Sequence, residues 1–233
     1  YENINFPWVK TIYPPAAQVV FAAEALIFGW LPSGFKYTCF AIELLVLWLM
    51  WRVVRGLKLA PATILIYAWN PLVMIEFAGT GHNDTLALSL MLAALIAVTS
   101  RKTVSAMVYI SLSFLSKFFA VVLLPEFYRI VRSIKPFWLI PAIIIVFYLL
   151  YIDAGSQLFH GLMVYGDEWR FNDSIFSMMV YMTGSLDYAK AIIAILFAGI
   201  ILIRFVLPPA PYKTAYIIVG AYLLLTPTLQ PWY

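Results

Sequence analysis

His82, Asn83 and Asp84 follow one another in GTGHND (79–84), between two strongly apolar runs. Gly79 and Gly81 permit tight backbone geometry there, which would present three polar side chains at the start of the next helix. The same residues have a plainer use, because Asn83 or Asp84 caps a helix well; a cap, however, has no need of His82. Glu76, near the end of the preceding apolar run, is an ionisable group in a membrane-type segment and hence a site candidate. Lys117, in SFLSKFF, stands where two short apolar runs meet. It reads either as a lysine whose stem follows apolar surface to the headgroups or as a cation in a cavity, facing a phosphate.

Further along, YGDEWRFND (165–173) sets Glu168, Arg170 and Asp173 beside Trp169. Such charged groups can hydrogen-bond a polyol while the indole offers a flat apolar face, or the stretch is an interfacial aromatic belt with solvated charges. YPPAAQ (13–18) and TPTLQPWY (226–233) add Tyr13, Gln18, Gln230 and Trp232 in Pro-broken segments with amide and aromatic side chains. Two His and one Cys give no metal-ligand spacing, so no cofactor follows from the sequence and metal dependence is not read from it. No Gly-rich phosphate loop or dinucleotide fingerprint appears. The lone Cys39 excludes an intrachain disulfide.

The elements that must position these groups are membrane helices. Hydrophobic residues make up 64% of the chain and charged residues 11%, with mean hydropathy +0.92, against about 25% charged in a soluble domain. Lipid must therefore solvate much of the surface, and helices satisfy their own backbone groups there. Apolar segments fall at 16–31, 37–51, 59–78, 85–99, 103–116, 118–128, 137–152, 174–183, 188–207 and 214–229. A span needs roughly 20 residues, so several are short; 16–31, bounded by Pro14–Pro15 and Pro32, reads as re-entrant or as lying on the surface. Pro71 should kink the segment 59–78. The fold expected is an all-α, multi-pass transmembrane bundle with re-entrant or surface helices at one face.

Basic residues set the orientation. With 37–51 running inward, Arg52, Arg55, Lys58, Arg101, Lys102, Arg129, Arg132, Lys135, Arg204 and Lys213 all fall on the cytoplasmic side, which is ten of the 15 Lys and Arg residues. The net charge of +4 then reflects basic loops, and nucleic acid is not a partner. The polar motifs all reach the other face, which suggests one extracytoplasmic site. The whole of 1–233 reads as one transmembrane domain, with 1–15 as the tail of an external loop and 153–173 as a long external loop. A start at Tyr1 and a stop at Tyr233 inside an aromatic motif suggest an internal fragment of a longer chain.

Taken in order, YPPAAQ, WNPLVMIEFAGTGHNDTLAL, SLSFLSKFFAVVLLPEFYR, EWRFNDSIF and QPWY resemble the GT-C superfamily of membrane glycosyltransferases, above all its bacterial polyprenyl-phosphate-mannose-dependent mannosyltransferases. The resemblance implies transfer of mannose or another hexose from a polyprenyl-phosphate-linked donor to a glycan or glycolipid acceptor, at the outer face of the bacterial inner membrane. It nominates His82 and Asp84 for the cavity chemistry and Lys117, with Arg170 as second candidate, for the donor phosphate. Glu76, Tyr13, Gln18, Asn83, Glu168, Trp169, Asp173, Gln230 and Trp232 would bind substrate. The family's usual general base lies early in the first external loop, ahead of Tyr1; Glu2 is the only acid before YPPAAQ. The fragment alone is then expected to be inactive. The other reading of the residues is a transporter or flippase for a lipid-linked or polar substrate, kept open by Glu24 and Glu43 within apolar runs; the lack of an internal repeat speaks against it.

Overall fold

A computed structural model describes residues 10–29, 31–171 and 174–228, with the backbone alone for Pro32 and Glu168. The described residues form helices and no strand: α1 (Pro15–Phe28), α2 (Pro32–Gly56), the one-turn α3 (Leu65–Ala68) and α4 (Pro71–Val73), α5 (Asp84–Thr99), α6 (Thr103–Ser116), α7 (Leu124–Val131), α8 (Leu139–Leu149), α9 (His160–Glu168), α10 (Ser174–Thr183), α11 (Leu186–Val206) and α12 (Pro211–Leu225). Proline opens α1, α2, α4 and α12, where its missing N–H costs no intrahelical bond.

Within α2, Ser33–Gly56 is long and apolar enough to cross a membrane, and so is α11. Pro61–Gly79 and Lys135–Asp167 each pass the same test only as bent pairs, at 53° and 107°, which makes two to four spans. The first bend falls at Asn70–Pro71, where Asn70 Oδ1 accepts from the Leu72 N–H at 3.0 Å. A π-helical turn then runs over Met74–Gly79. Ile195, Leu202 and Val206 of α11 are 69%, 64% and 78% exposed, a surface that lipid and not water solvates. This is a helical membrane protein. The stretch 153–173, expected as a loop, is instead helical over most of its length, in a 3-10 helix at Ile152–Phe159 and in α9. Helix-forming residues follow His160, and the kink is confined to Gly155 at φ 51°.

The hairpin of α5 and α6 is the packing centre. Ala94, Ala97, Ala106 and Ser111 are buried between larger side chains such as Leu95, Met107 and Ile110, and such small residues let helix backbones approach in a membrane. Ser113 Oγ donates across the pair to Ala87 O at 2.7 Å. This bond fixes the end of α6 beside the start of α5.

The opposite end of the bundle holds a polar clasp. Buried Glu126 accepts from the Ala210 N–H at 2.6 Å and pairs with Arg129 at 3.5 Å. Arg129 donates to Arg204 O at 2.9 Å, and Arg204 donates to Thr214 Oγ1 at 2.8 Å. These bonds tie α7, α11 and α12 together. Glu126→Ala should cost about 3 kcal/mol, since it strips a buried charge network of its anion. The expected result is a lower thermal midpoint of the helical signal in detergent; an unchanged midpoint would remove the clasp from the account.

Candidate functional site

Lys117 leaves α6 with extended backbone, φ −157° and ψ 126°. Phe118 and Phe119 follow in the turn that leads to a 3-10 helix at Ala120–Leu123. Asp84 is the first residue of α5. Because the hairpin is antiparallel, these two ends lie at one level, and Lys117 Nζ forms an ion pair with Asp84 Oδ1. The pair is largely shielded, with side chains 26% and 12% exposed. Burial pushes the Lys117 ammonium down to about 7, while the contacting carboxylate favours the charged form.

Two cavities meet at Lys117. One, of about 150 Å³, is largely apolar apart from Asp84, Ser113 and Lys117, and is walled by Phe77, Leu88, Met91, Val219 and Tyr222. The other, of about 430 Å³, is aromatic: Tyr13, Phe118, Phe119, Tyr165, Trp169 and Tyr222 line it. A third space of about 110 Å³ continues past Tyr13 to Gln18, Tyr148 and Tyr151. Gln18 Nε2 donates to Thr11 Oγ1 at 2.6 Å, which holds its amide at the entry to α1. Burial, with Tyr165 beside it, raises the Tyr13 phenol above its ordinary value, so Tyr13 is a neutral hydroxyl at neutral pH. Trp169 is braced by Tyr165 (centroids 5.2 Å) and Phe171 (5.9 Å). Tyr165 OH donates to Thr228 O at 3.2 Å and the Phe171 N–H to Pro227 O at 3.0 Å. The end of α9 is thereby bound to the segment after α12.

The polar turn divides its residues. His82 Nδ1 lies 2.7 Å from Thr80 Oγ1 and 3.0 Å from Glu76 O, and 3.1 Å from Glu76 Oε2. These oxygens suit a proton on Nδ1 and tie the imidazole back to the π-helical turn. Asp84 faces the other way, into the apolar cavity. His82 is thus partnered by Thr80 and Glu76, and Asp84 by Lys117. Asn83 occupies the N-cap position of α5, with no capping bond from its side chain, and is 5% exposed.

Arg170 packs over Phe176 at 5.1 Å and donates to Ser177 Oγ at 3.1 Å; it does not line the cavities at Lys117. Asp173, Gln230, Trp232 and Glu2 lie outside the described residues, as does the side chain of Glu168. Glu24 and Glu43 are 7% and 6% exposed and do not reach these cavities; Glu43 accepts from Tyr67 OH at 3.2 Å. Among the described residues no group of His, Cys, Asp and Glu could hold a metal ion. Sequence reasoning missed Tyr222, which sits in an unbroken apolar run and carries no signal apart from its hydroxyl.

With the geometry in view, similarity to known proteins can be read onto it. The family described as "Alpha-(1->6)-mannopyranosyltransferase, N-terminal domain" matches residues 16–132, half of the chain. The chain belongs to this family. The match runs from α1 through α7, so the domain that defines these mannosyltransferases contains the α5–α6 hairpin, Asp84 and Lys117. No match to a curated protein or to a solved structure is found.

The ion pair makes a prediction about folding that is separate from activity. Asp84→Asn or Lys117→Met alone leaves one buried charge uncompensated and should destabilise by up to about 3–5 kcal/mol, whereas replacing both should be nearly neutral. Thermal midpoints of the two single variants and the double variant check this. A double variant as unstable as the sum of the singles would contradict the pairing.

Proposed function

We propose that this family domain serves the transfer of a mannosyl unit from a polyprenyl-phosphate donor to a hydroxyl of a glycan or glycolipid acceptor, at the extracytoplasmic face of a bacterial cell membrane. The observation that carries this reading is the Asp84–Lys117 pair in the wall shared by an apolar and an aromatic cavity. A polyprenyl-phosphate sugar has three parts in sequence: an apolar chain, a phosphate and a polyol ring. The cavities offer matching surroundings in the same order, with the cation in the middle.

In this reading Lys117 exchanges the carboxylate of Asp84 for the donor phosphate, a charge-assisted contact of similar kind. Trp169 and Tyr13 give the sugar a flat face and a hydroxyl. The acceptor oxygen then bonds to the anomeric carbon as the bond from that carbon to the phosphate oxygen breaks. The electron pair leaves with polyprenyl phosphate, where Lys117 balances the charge, and the hydroxyl proton passes to a carboxylate. Asp84, released from Lys117, is the carboxylate that lines these cavities among the described residues. His82 and Glu76 hold the turn that aims it.

Lys117→Met keeps a long stem without the charge. It should weaken binding of the lipid-phosphate donor by about 10- to 100-fold and leave acceptor binding little changed. In the parent protein donor affinity should fall as rising pH removes the Lys117 proton, a loss that burial favours and the Asp84 contact opposes; in Lys117→Met this dependence should vanish. Equal weakening of both substrates, or none, would return Lys117 to a packing role. Orientation is checked by cysteine labelling in a Cys39→Ala background. An impermeant thiol reagent added outside should modify cysteines at Ser156 and Asp187, both exposed, and spare one at Gly56. The reverse pattern would place the cavities on the cytoplasmic side.

A further inference from the structure

A fourth cavity, of about 320 Å³, opens beside the α5–α6 hairpin toward the end away from Asp84 and Lys117. Its volume is within the roughly 300–1,000 Å³ typical of small-molecule sites. It runs along α5 from Ser89 to Ser100, on the order of 16 Å at 1.5 Å per residue. The space exists because α5 presents Ala93 and Ala97 there, where larger side chains would have filled the gap to α2 and α6. Leu45, Trp48 and Ile96 make the long walls apolar, and Leu45 and Trp48 are 45% and 52% exposed at the flank.

One end of this groove is different. Arg52 from the last turns of α2 and Lys102 at the start of α6 both line it, with the hydroxyls of Ser100 and Ser105 beside them. The Arg52 guanidinium is set over the Trp48 ring at 5.0 Å, which fixes its position. No carboxylate lines the cavity, and among the described residues neither cation forms an ion pair. The mouth of an apolar groove thus carries two exposed cations and, among the described residues, no carboxylate.

We infer that this groove is a binding site for a phosphate-headed acyl lipid, with one chain along Ala93 and Ile96 and the phosphate between Arg52 and Lys102. A free phosphate would use the two cations and leave the groove without purpose, whereas a zwitterionic lipid would fill the groove and gain less from the cations. The anionic glycerolipid meets both. The site is separate from the cavities at Lys117 and stands whether or not the mannosyl-transfer reading does.

The test is native mass spectrometry of the delipidated protein after adding back phosphatidylglycerol or phosphatidylcholine with matched chains, with and without inorganic phosphate. The parent protein should retain phosphatidylglycerol in preference. The double variant Arg52→Gln, Lys102→Gln should lose about 10- to 30-fold of that affinity, and Ala93→Phe, which fills the groove, should lower binding of both lipids. Arg52 and Lys102 are exposed, so the fold should persist, and an unchanged thermal midpoint verifies it. Equal retention of both lipids, no effect of the double variant, or displacement of the lipid by millimolar phosphate with no effect of Ala93→Phe would each overturn the inference.

Discussion

The ion pair between Asp84 and Lys117 is the constraint on which the site depends. Helices α5 and α6 are 16 and 14 residues long, about 24 Å and 21 Å, and both stop short of a full bilayer. Their ends must therefore be solvated by the protein itself. A lysine at the end of one and an aspartate at the start of the other solve that problem only together, because either charge alone would be stranded in a shielded place. The register of the hairpin, fixed by Ser113 against Ala87, makes the contact possible. The same geometry leaves a cation at the junction of an apolar and an aromatic cavity, where the proposed function puts the donor phosphate.

The two ends of the bundle treat charge in opposite ways. Around Glu126 the charged groups are bonded to backbone and to each other across α7, α11 and α12, which locks the helices and leaves little for a ligand. Around Lys117 the neighbours are cavities, aromatic rings and, among the described residues, the carboxylate of Asp84. In the proposed reaction the donor phosphate takes the place of Asp84 at Lys117 while the opposite end stays fixed. Arg52 and Lys102 line the mouth of the lateral groove, where no carboxylate stands among the described residues.

Much of this was legible in the sequence, for reasons that differ between elements. The segments 85–99 and 103–116 coincide with α5 and α6 almost to the residue, because Gly, Asn and charged residues bracket uninterrupted apolar runs. The break at Pro71 follows from the missing N–H. Lys117 stood out because an isolated lysine between phenylalanines is costly. The pairing itself was not readable: Asp84 and Lys117 are 33 positions apart in sequence, and only the register of the hairpin joins them. For the same reason the sequence does not show that His82 is partnered by Thr80 and Glu76 and Asp84 by Lys117. Arg170, which resembles a phosphate ligand on composition, is engaged with Phe176 and Ser177, while Tyr222 reaches the site from a run that has every mark of lipid-facing helix.

The central claim is that Lys117 trades Asp84 for the phosphate of a lipid-linked sugar. The direct measurement is an electron cryomicroscopy structure of the protein in a lipid disc with a non-transferable polyprenyl-phosphate mannose analogue. The account predicts phosphate oxygens within about 4 Å of Lys117 Nζ, the Asp84 carboxylate turned away from the lysine, and the sugar ring against Trp169. An intact Asp84–Lys117 pair with the phosphate held elsewhere would contradict it.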